Sequence, residues 1–150
     1  IDDGLKTGVV GNYPLVDIEA KIVGGDFHPV DSTDMAFRSV AVMALREACN
    51  AARPVLLEPI MDVEVVTPED YFGDVMGNLS SRRGQIIESG DRGAMAKFIK
   101  AEVPLAEMFG YATDLRSMTQ GRAAYSMEFS HYFKVPQNVG EKIIQERSGT

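Results

Sequence analysis

Met61-Asp62-Val63-Glu64-Val65 alternates apolar with acidic side chains, and Thr67-Pro68-Glu69-Asp70 follows almost at once. The alternation predicts a half-buried strand with Met61, Val63 and Val65 on its inner face. An early proline and two acids in the first turn predict a helix immediately after it. That helix carries an apolar stripe of Phe72, Val75, Met76 and Leu79 and ends at the basic, glycine-stopped Arg82-Arg83-Gly84. Residues 85–88 and 97–103 read as two strands joined by the turn-rich Ser89-Gly90-Asp91-Arg92-Gly93. Pro104 opens a second helix in which Leu105, Met108, Phe109, Ala112 and Leu115 repeat at helical spacing, and Gly121 closes it. Ala123, Tyr125, Met127 and Phe129 then alternate with Ala124, Ser126, Glu128 and Ser130 in a last strand, and a Pro136-led helix runs to about Arg147. The order β-α-β-β-α-β is the ferredoxin-like signature, in which both helices cover one face of an antiparallel sheet. This half is expected to fold alone. Its fold is too common to carry a function.

Upstream the pattern is thinner. Residues 13–23 alternate, with Val16, Ile18, Ala20 and Ile22 opposite Asp17, Glu19 and Lys21, which predicts a half-buried strand. Asp31-Ser32-Thr33-Asp34 supplies capping oxygens for a helix over residues 32–52, with an apolar stripe of Met35, Ala36, Val40, Met43, Ala44 and Ala48 and with Cys49 beside it. Pro54 stops that helix, and the extended Val55-Leu56-Leu57-Glu58-Pro59 marks the domain boundary. One strand and one helix are too little to cover their own apolar faces, so this half is expected to lack a partner segment. The opening Ile1-Asp2-Asp3-Gly4-Leu5-Lys6-Thr7-Gly8 reads as the end of a helix that starts earlier, as in a piece of a longer chain.

The 150 residues hold 22 acids and 15 bases, a net charge of −7, and neither half is basic: −3 before Glu58 and −4 from it onward. Such a chain does not hold nucleic acid by nonspecific counterion release, so any RNA contact is local. No apolar run approaches the roughly 18 residues of a membrane span, and the first residues carry two acids rather than a basic flank and apolar stretch. Neither insertion nor secretion is signalled. The single cysteine excludes an internal disulfide and fits a reducing compartment, so a cytoplasmic location is expected.

No GxxxxGK[ST] loop, GxGxxG turn, CxxC or HExxH spacing occurs, so neither catalysis nor a cofactor or metal is expected here. The one dense polar cluster is the loop Gly24-Gly25-Asp26-Phe27-His28-Pro29-Val30-Asp31-Ser32. His28, Asp31 and Ser32 resemble a hydrolytic set in type, yet Asp31 and Ser32 already have local work as caps. That leaves His28 as a solvent-facing turn residue or as a contact whose imidazole offers a donor, an acceptor and a stacking face to RNA. Arg82 and Arg83 have two readings as well, compensation of the helix dipole or contact with phosphate, and Arg116 and Arg122 share that ambiguity. Lys97 and Lys100 read as solvated strand surface. Tyr111, Tyr125 and Tyr132 do not make a convincing base-stacking sheet, because Tyr125 shares a face with Met127 and Phe129 and fits the core better.

Pro54-Val55-Leu56-Leu57-Glu58-Pro59-Ile60-Met61, Gly73-Asp74-Val75-Met76-Gly77, Arg82-Arg83-Gly84 and the whole of residues 103–116 closely resemble the C-terminal region of translation elongation factor G. Residues 27–37 and Gln120-Gly121-Arg122 extend the resemblance along essentially the entire chain. It implies an α+β protein in which residues 1–57 are the latter part of the fourth domain, a partial S5-like βαβ unit. Residues 58–150 are then the ferredoxin-like fifth domain with its C-terminal helix. It also implies GTP-dependent translocation of tRNA and mRNA by the whole factor, with GTP and Mg held in an absent N-terminal domain. By the same resemblance Phe27, His28, Pro29 and Asp31 meet tRNA and mRNA in the A site of the small ribosomal subunit. Arg82 and Arg83 meet ribosomal RNA near the large subunit's GTPase-associated centre. Two alternatives stand beside it: a paralogue in ribosome recycling or tetracycline protection, and a free-standing ferredoxin-like binding domain.

Overall fold

The computed structural model describes residues 1–149. In chain order the elements are α1 (Asp2–Thr7), α2 (Asp34–Ala51), β1 (Leu57–Pro68), α3 (Phe72–Ser81), β2 (Gln85–Asp91), β3 (Ala96–Pro104), α4 (Tyr111–Thr119), β4 (Ala124–Lys134) and α5 (Gln137–Ser148). Single 3-10 turns at Glu69–Tyr71 and Leu105–Glu107 lead into α3 and toward α4. The chain divides into two compact units, Leu57–Lys134 and Ile1–Leu56 joined by the residues from Val135 onward.

The Leu57–Lys134 unit has the expected α+β architecture. Its four strands form one antiparallel sheet in the order β2-β3-β1-β4. Register explains the core. Met61, Val63 and Val65 of β1 lie opposite Val103, Ala101 and Ile99 of β3, so the period of two puts all six on one face. Val75 and Leu79 of α3 and Met108, Tyr111 and Leu115 from the α4 side close over them. Tyr125, Met127 and Phe129 of β4 continue the same rows, but β4 is an edge strand and they keep 37%, 37% and 55% of their surface. Tyr125 is therefore packed on one side only, edge-on to Tyr111 at 5.0 Å and 84°.

The second helix differs from its expected form. Gly110 adopts φ +76°, which breaks the segment between the 3-10 turn and α4. The break rotates the apolar stripe: Phe109 is 80% exposed and Tyr111 takes the core position instead. The Tyr111 hydroxyl is buried with no hydrogen-bond partner among the described residues. Burial pushes its pKa up to about 12, against the opposing pull of the Arg82 cation beside its ring. A phenol held neutral when folded but free to ionise near pH 10 when unfolded leaves stability intact below pH 10. Stability then falls as the pH rises toward 12. Tyr111→Phe is expected to be at least as stable as the parent at pH 7 and to show a smaller alkaline loss between pH 10 and 12, read by urea unfolding at each pH.

The opposite sheet face is acidic. Asp62 lies directly opposite Glu102 on one side and Glu128 on the other, and these three join Glu64, Ser126 and Lys100 around one shallow concavity. Of the cations nearby, Arg92 pairs with Glu64 and Lys100 with Glu88 at 3.1 Å, and neither ion pair includes Asp62, Glu102 or Glu128. Like charges directly across a ladder oppose folding by roughly 0.2–1 kcal/mol per pair. Asp62→Asn is accordingly expected to raise the unfolding free energy by several tenths of a kcal/mol. The gain shrinks in high salt, as denaturation at two ionic strengths measures.

In the other unit α2 forms where expected, capped by Thr33, whose Oγ1 accepts from the Ala36 N–H at 3.1 Å. Its covered side is not the expected stripe. Met35, Val40 and Met43 are exposed, while Val42, Leu45 and Cys49 are half-buried. Val42 and Leu45 meet α1 at Gly4, where a β-carbon would stand 2.8 Å from the Leu45 Cδ2. Residues 13–23 form no strand, and Val16, Ile18, Ile22 and Val23 are exposed. Alternation specifies a face, but a strand also needs a neighbour to take its hydrogen bonds. Every strand among the described residues belongs to the Leu57–Lys134 sheet. By packing, the C-terminal helix groups with the Ile1–Leu56 unit. A β-carbon on Gly140 would stand 3.9 Å from side-chain carbons of Leu56 and Val135, and Arg147 donates to the Gly11 carbonyl at 3.0 Å and lies over the Tyr13 ring.

Candidate functional site

The loop before α2 is held by its own polar groups. Ser32 N–H donates to the His28 carbonyl at 2.9 Å, and Ser32 Oγ accepts from the His28 N–H at 2.6 Å. Residues 28–32 thus close a small ring that feeds into the Thr33 cap. Phe27 is 71% and Val30 80% exposed, and Pro29 is exposed as well. The His28 side chain keeps 64% of its surface, with Nδ1 at 3.3 Å from Asp31 Oδ2 and at 3.3 Å from the Val30 backbone nitrogen. Four of the expected contact residues, Phe27, His28, Pro29 and Asp31, therefore share one exposed turn at the start of an 18-residue helix.

Capping falls differently from the sequence reading. Thr33 caps the helix; Ser32 braces the His28 backbone and Asp31 reaches the imidazole. The i, i+3 spacing of His28 and Asp31 was visible beforehand, but four consecutive capping-type residues gave no way to rank them. Nor do the three side chains make a hydrolytic relay, since the Ser32 oxygen faces the His28 backbone amide rather than its ring. Among the described residues no group of three His, Cys, Asp or Glu side chains is placed to hold a metal ion.

Arg82 and Arg83 stand at the end of α3, in the ferredoxin-like unit, and both guanidinium groups are engaged on several sides. Arg82 donates to Asn78 Oδ1 at 3.0 Å, to the carbonyls of Glu107 and Phe109, and to Asp114, while its guanidinium lies 5.1 Å from the Tyr111 ring centre. Arg83 forks onto Glu58, with Nη1 at 2.8 Å from Oε1 and Nη2 at 3.0 Å from Oε2, and its Nε reaches Glu107 at 3.0 Å. The hydrogen bond to Glu58 is the chief reason its guanidinium is held even more firmly protonated than usual. The pair thus ties the end of α3 to β1 and to the segment before α4.

The backbone there is equally specific. Arg83 occupies φ +57°, the left-handed position that helix ends usually give to glycine, and the Gly84 N–H returns to the Leu79 carbonyl at 3.0 Å. A β-carbon on Gly84 would stand 2.4 Å from that carbonyl oxygen, so the glycine is needed for close approach. No local pattern announces the acidic partners, which lie 24 to 32 residues away.

The remaining sequence candidates are similarly placed. Lys97 bonds Asp91 at 2.7 Å and lies 3.7 Å from Glu69, and Arg122 sits over the Tyr71 ring at 5.8 Å. Tyr111 is core, Tyr125 faces the helix layer and Tyr132 packs against Phe129. The open sheet face carries carboxylates where an RNA-binding sheet presents aromatic rings, and it repels phosphate.

A two-unit α+β chain with an exposed, braced loop on one unit and a ferredoxin-like sandwich in the other defines the general class. Comparison with known families names it. Residues 1–53 match the family described as elongation factor G, domain IV, and residues 55–143 match elongation factor G C-terminus. The chain belongs to the elongation factor G family. A solved structure from Thermus thermophilus is similar over 99% of this chain at 39% identity and a TM-score of 0.85. The chain spans 22% of the length of that protein. Among the described residues no helix is long and apolar enough to cross a membrane.

Proposed function

We propose that this chain is the ribosome-facing C-terminal part of a cytoplasmic GTP-dependent translocation factor, with the His28 loop as the element that enters the decoding site. GTP and Mg belong in this reading to a domain outside residues 1–150. Residues 1–57 act as fourth domain and residues 58–150 as fifth. The observation that carries it is the loop itself: His28, its backbone held by Ser32 and its imidazole beside Asp31, is projected with Phe27 and Pro29 ahead of α2. Its work is steric, separating tRNA and mRNA from the decoding site and blocking their return. The large-subunit contact is assigned to the ferredoxin-like unit near the GTPase-associated centre.

A net charge of −7 is compatible with this, because a factor held at several tethered points needs little affinity at each. By itself the chain is expected to bind ribosomes weakly, and submicromolar binding at physiological salt would contradict the reading. The whole factor separates translocation from recycling or ribosomal protection. It should advance pre-translocation complexes by one codon, whereas activity confined to post-termination or tetracycline-blocked ribosomes would select the paralogue.

For Arg82 and Arg83 the proposed contact with ribosomal RNA lies where α3 ends, beside the carboxylates that pair with them. A phosphate there would meet guanidinium charge already balanced in large part by Glu58, Glu107 and Asp114 and would have only the remaining N–H groups to bind.

A further inference from the structure

We propose that the free edge of β4 docks an extended polypeptide segment that alternates apolar with basic residues, taking it up as a fifth strand of the sheet. The site is the stretch Ala124–Phe129. Three things recognise the ligand there: open main chain along the edge, an apolar row on one face and carboxylates on the other.

β4 pairs with β1 alone, so the N–H and C=O groups of every second residue face away from the sheet, and among the described residues no strand takes them. Tyr125, Met127 and Phe129 lie opposite Val65, Val63 and Met61; they carry the apolar rows of the helix-covered face out to the rim, where they stay exposed. Ser126 and Glu128 lie opposite Glu64 and Asp62 and carry the acidic open face to the same rim. A strand added here alternates its side chains between those two faces. Its apolar residues meet the Tyr125 row. Its lysines or arginines meet Glu128 first and Asp62 behind it, neither of which belongs to the ion pairs that hold Arg92 and Lys100. The bulge at Ser130 sets the far limit, since the ladder with β1 passes there from Phe129 to His131. The other edge does not match: β2 offers the helix-covered face Ile86 with Ser89 and Asp91, and its Glu88 is already paired with Lys100.

Charge decides among the occupants. Residues 13–23 of a second copy alternate as a strand does, but their polar face holds Asp17 and Glu19 with Lys21, and a second β4 brings another Glu128. Either adds carboxylate to a face already acidic, and like charges across a ladder oppose pairing. Nucleic acid is repelled for the same reason. A basic alternating segment is the occupant that both faces favour.

The test is NMR titration of the ¹⁵N-labelled 150-residue chain with a short capped peptide alternating valine and lysine, beside the same peptide with glutamate for lysine. The lysine peptide is expected to shift the amides of Ala124–Phe129, to slow hydrogen exchange at alternate ones among them and to leave β2 unchanged. The glutamate peptide should do none of this. Glu128→Lys, at an exposed position, should weaken binding of the lysine peptide about threefold to tenfold and admit the glutamate peptide. Glu128→Gln keeps the side-chain shape and should lose part of the affinity together with part of its salt dependence. The spectrum of each variant without peptide verifies its fold. A chain that ignores the lysine peptide, binds the two peptides equally, or shifts without slowed exchange along Ala124–Phe129 would overturn strand addition by a basic segment. Shifts confined to β2 would do the same. So would a peptide-free sample in which those amides move with protein concentration and sedimentation reports a dimer, since a second copy then holds the edge.

Discussion

Arg83→Ala is expected to lower the unfolding free energy of the Leu57–Lys134 unit by about 2–4 kcal/mol. Removing one partner of a buried ion pair costs roughly 3–5 kcal/mol because the other charge is stranded. Glu58 keeps only 10% of its side-chain surface, so it is stranded; Arg83 keeps 27%, which moderates the loss. Arg83→Lys should recover only part, since an ammonium cannot fork onto both Glu58 oxygens and reach Glu107 at once. Urea unfolding of Arg83→Ala, Glu58→Gln and the double variant measures the coupling, and the double variant is expected to be less damaged than the sum of its parts. A loss of under about 0.5 kcal/mol, the range of an ordinary surface substitution, would show that the network is ornamental. The same protein decides the RNA question: ribosome binding by a folded Arg82→Ala, Arg83→Ala factor should keep its salt slope, and a flattened slope would restore direct phosphate contact.

His28→Ala in the intact factor is expected to slow translocation about tenfold or more while leaving ribosome-stimulated GTP hydrolysis unchanged. Loss of one well-placed polar contact is worth about 1–3 kcal/mol, and each 1.4 kcal/mol is a factor of ten in rate. The side chain is two-thirds exposed and its neighbours are held by backbone and Ser32 contacts, so its removal leaves the fold intact. Rapid-kinetic measurement of mRNA movement and phosphate release on the same ribosomes separates the two steps. Equal loss of both would place the defect in ribosome binding and sink the loop assignment.

Much of the ferredoxin-like unit was legible because its signals are local. Met61, Val63 and Val65 declare their inner face by alternation, and Val75 and Leu79 declare theirs by helical spacing; all five are buried. The second helix was misread where one residue changed the geometry. Leu105 to Leu115 keep an unbroken apolar period on paper, but Gly110 at φ +76° interrupts it and exchanges Phe109 for Tyr111 in the core. A period assumes a continuous helix, and a single left-handed residue cancels that assumption.

Upstream, the alternation of residues 13–23 was real and its consequence was not, because strand formation is a pairing property. The same holds for α2, whose most apolar stripe is exposed while Val42, Leu45 and Cys49 meet what is available to pack against. Burial follows neighbours, and a pattern names only the side that would profit from them.

For the site, sequence alone determined the position of the His28 loop, its polarity and the start of a helix just beyond it. Tertiary structure decided the roles within it, giving the cap to Thr33, the backbone brace to Ser32 and the imidazole to Asp31. It also decided Arg82 and Arg83, because the carboxylates that take up their donors are distant in sequence and adjacent only after the sheet and helices have closed. Local spacing encodes periodicity and capping chemistry; which charge meets which is encoded by the fold.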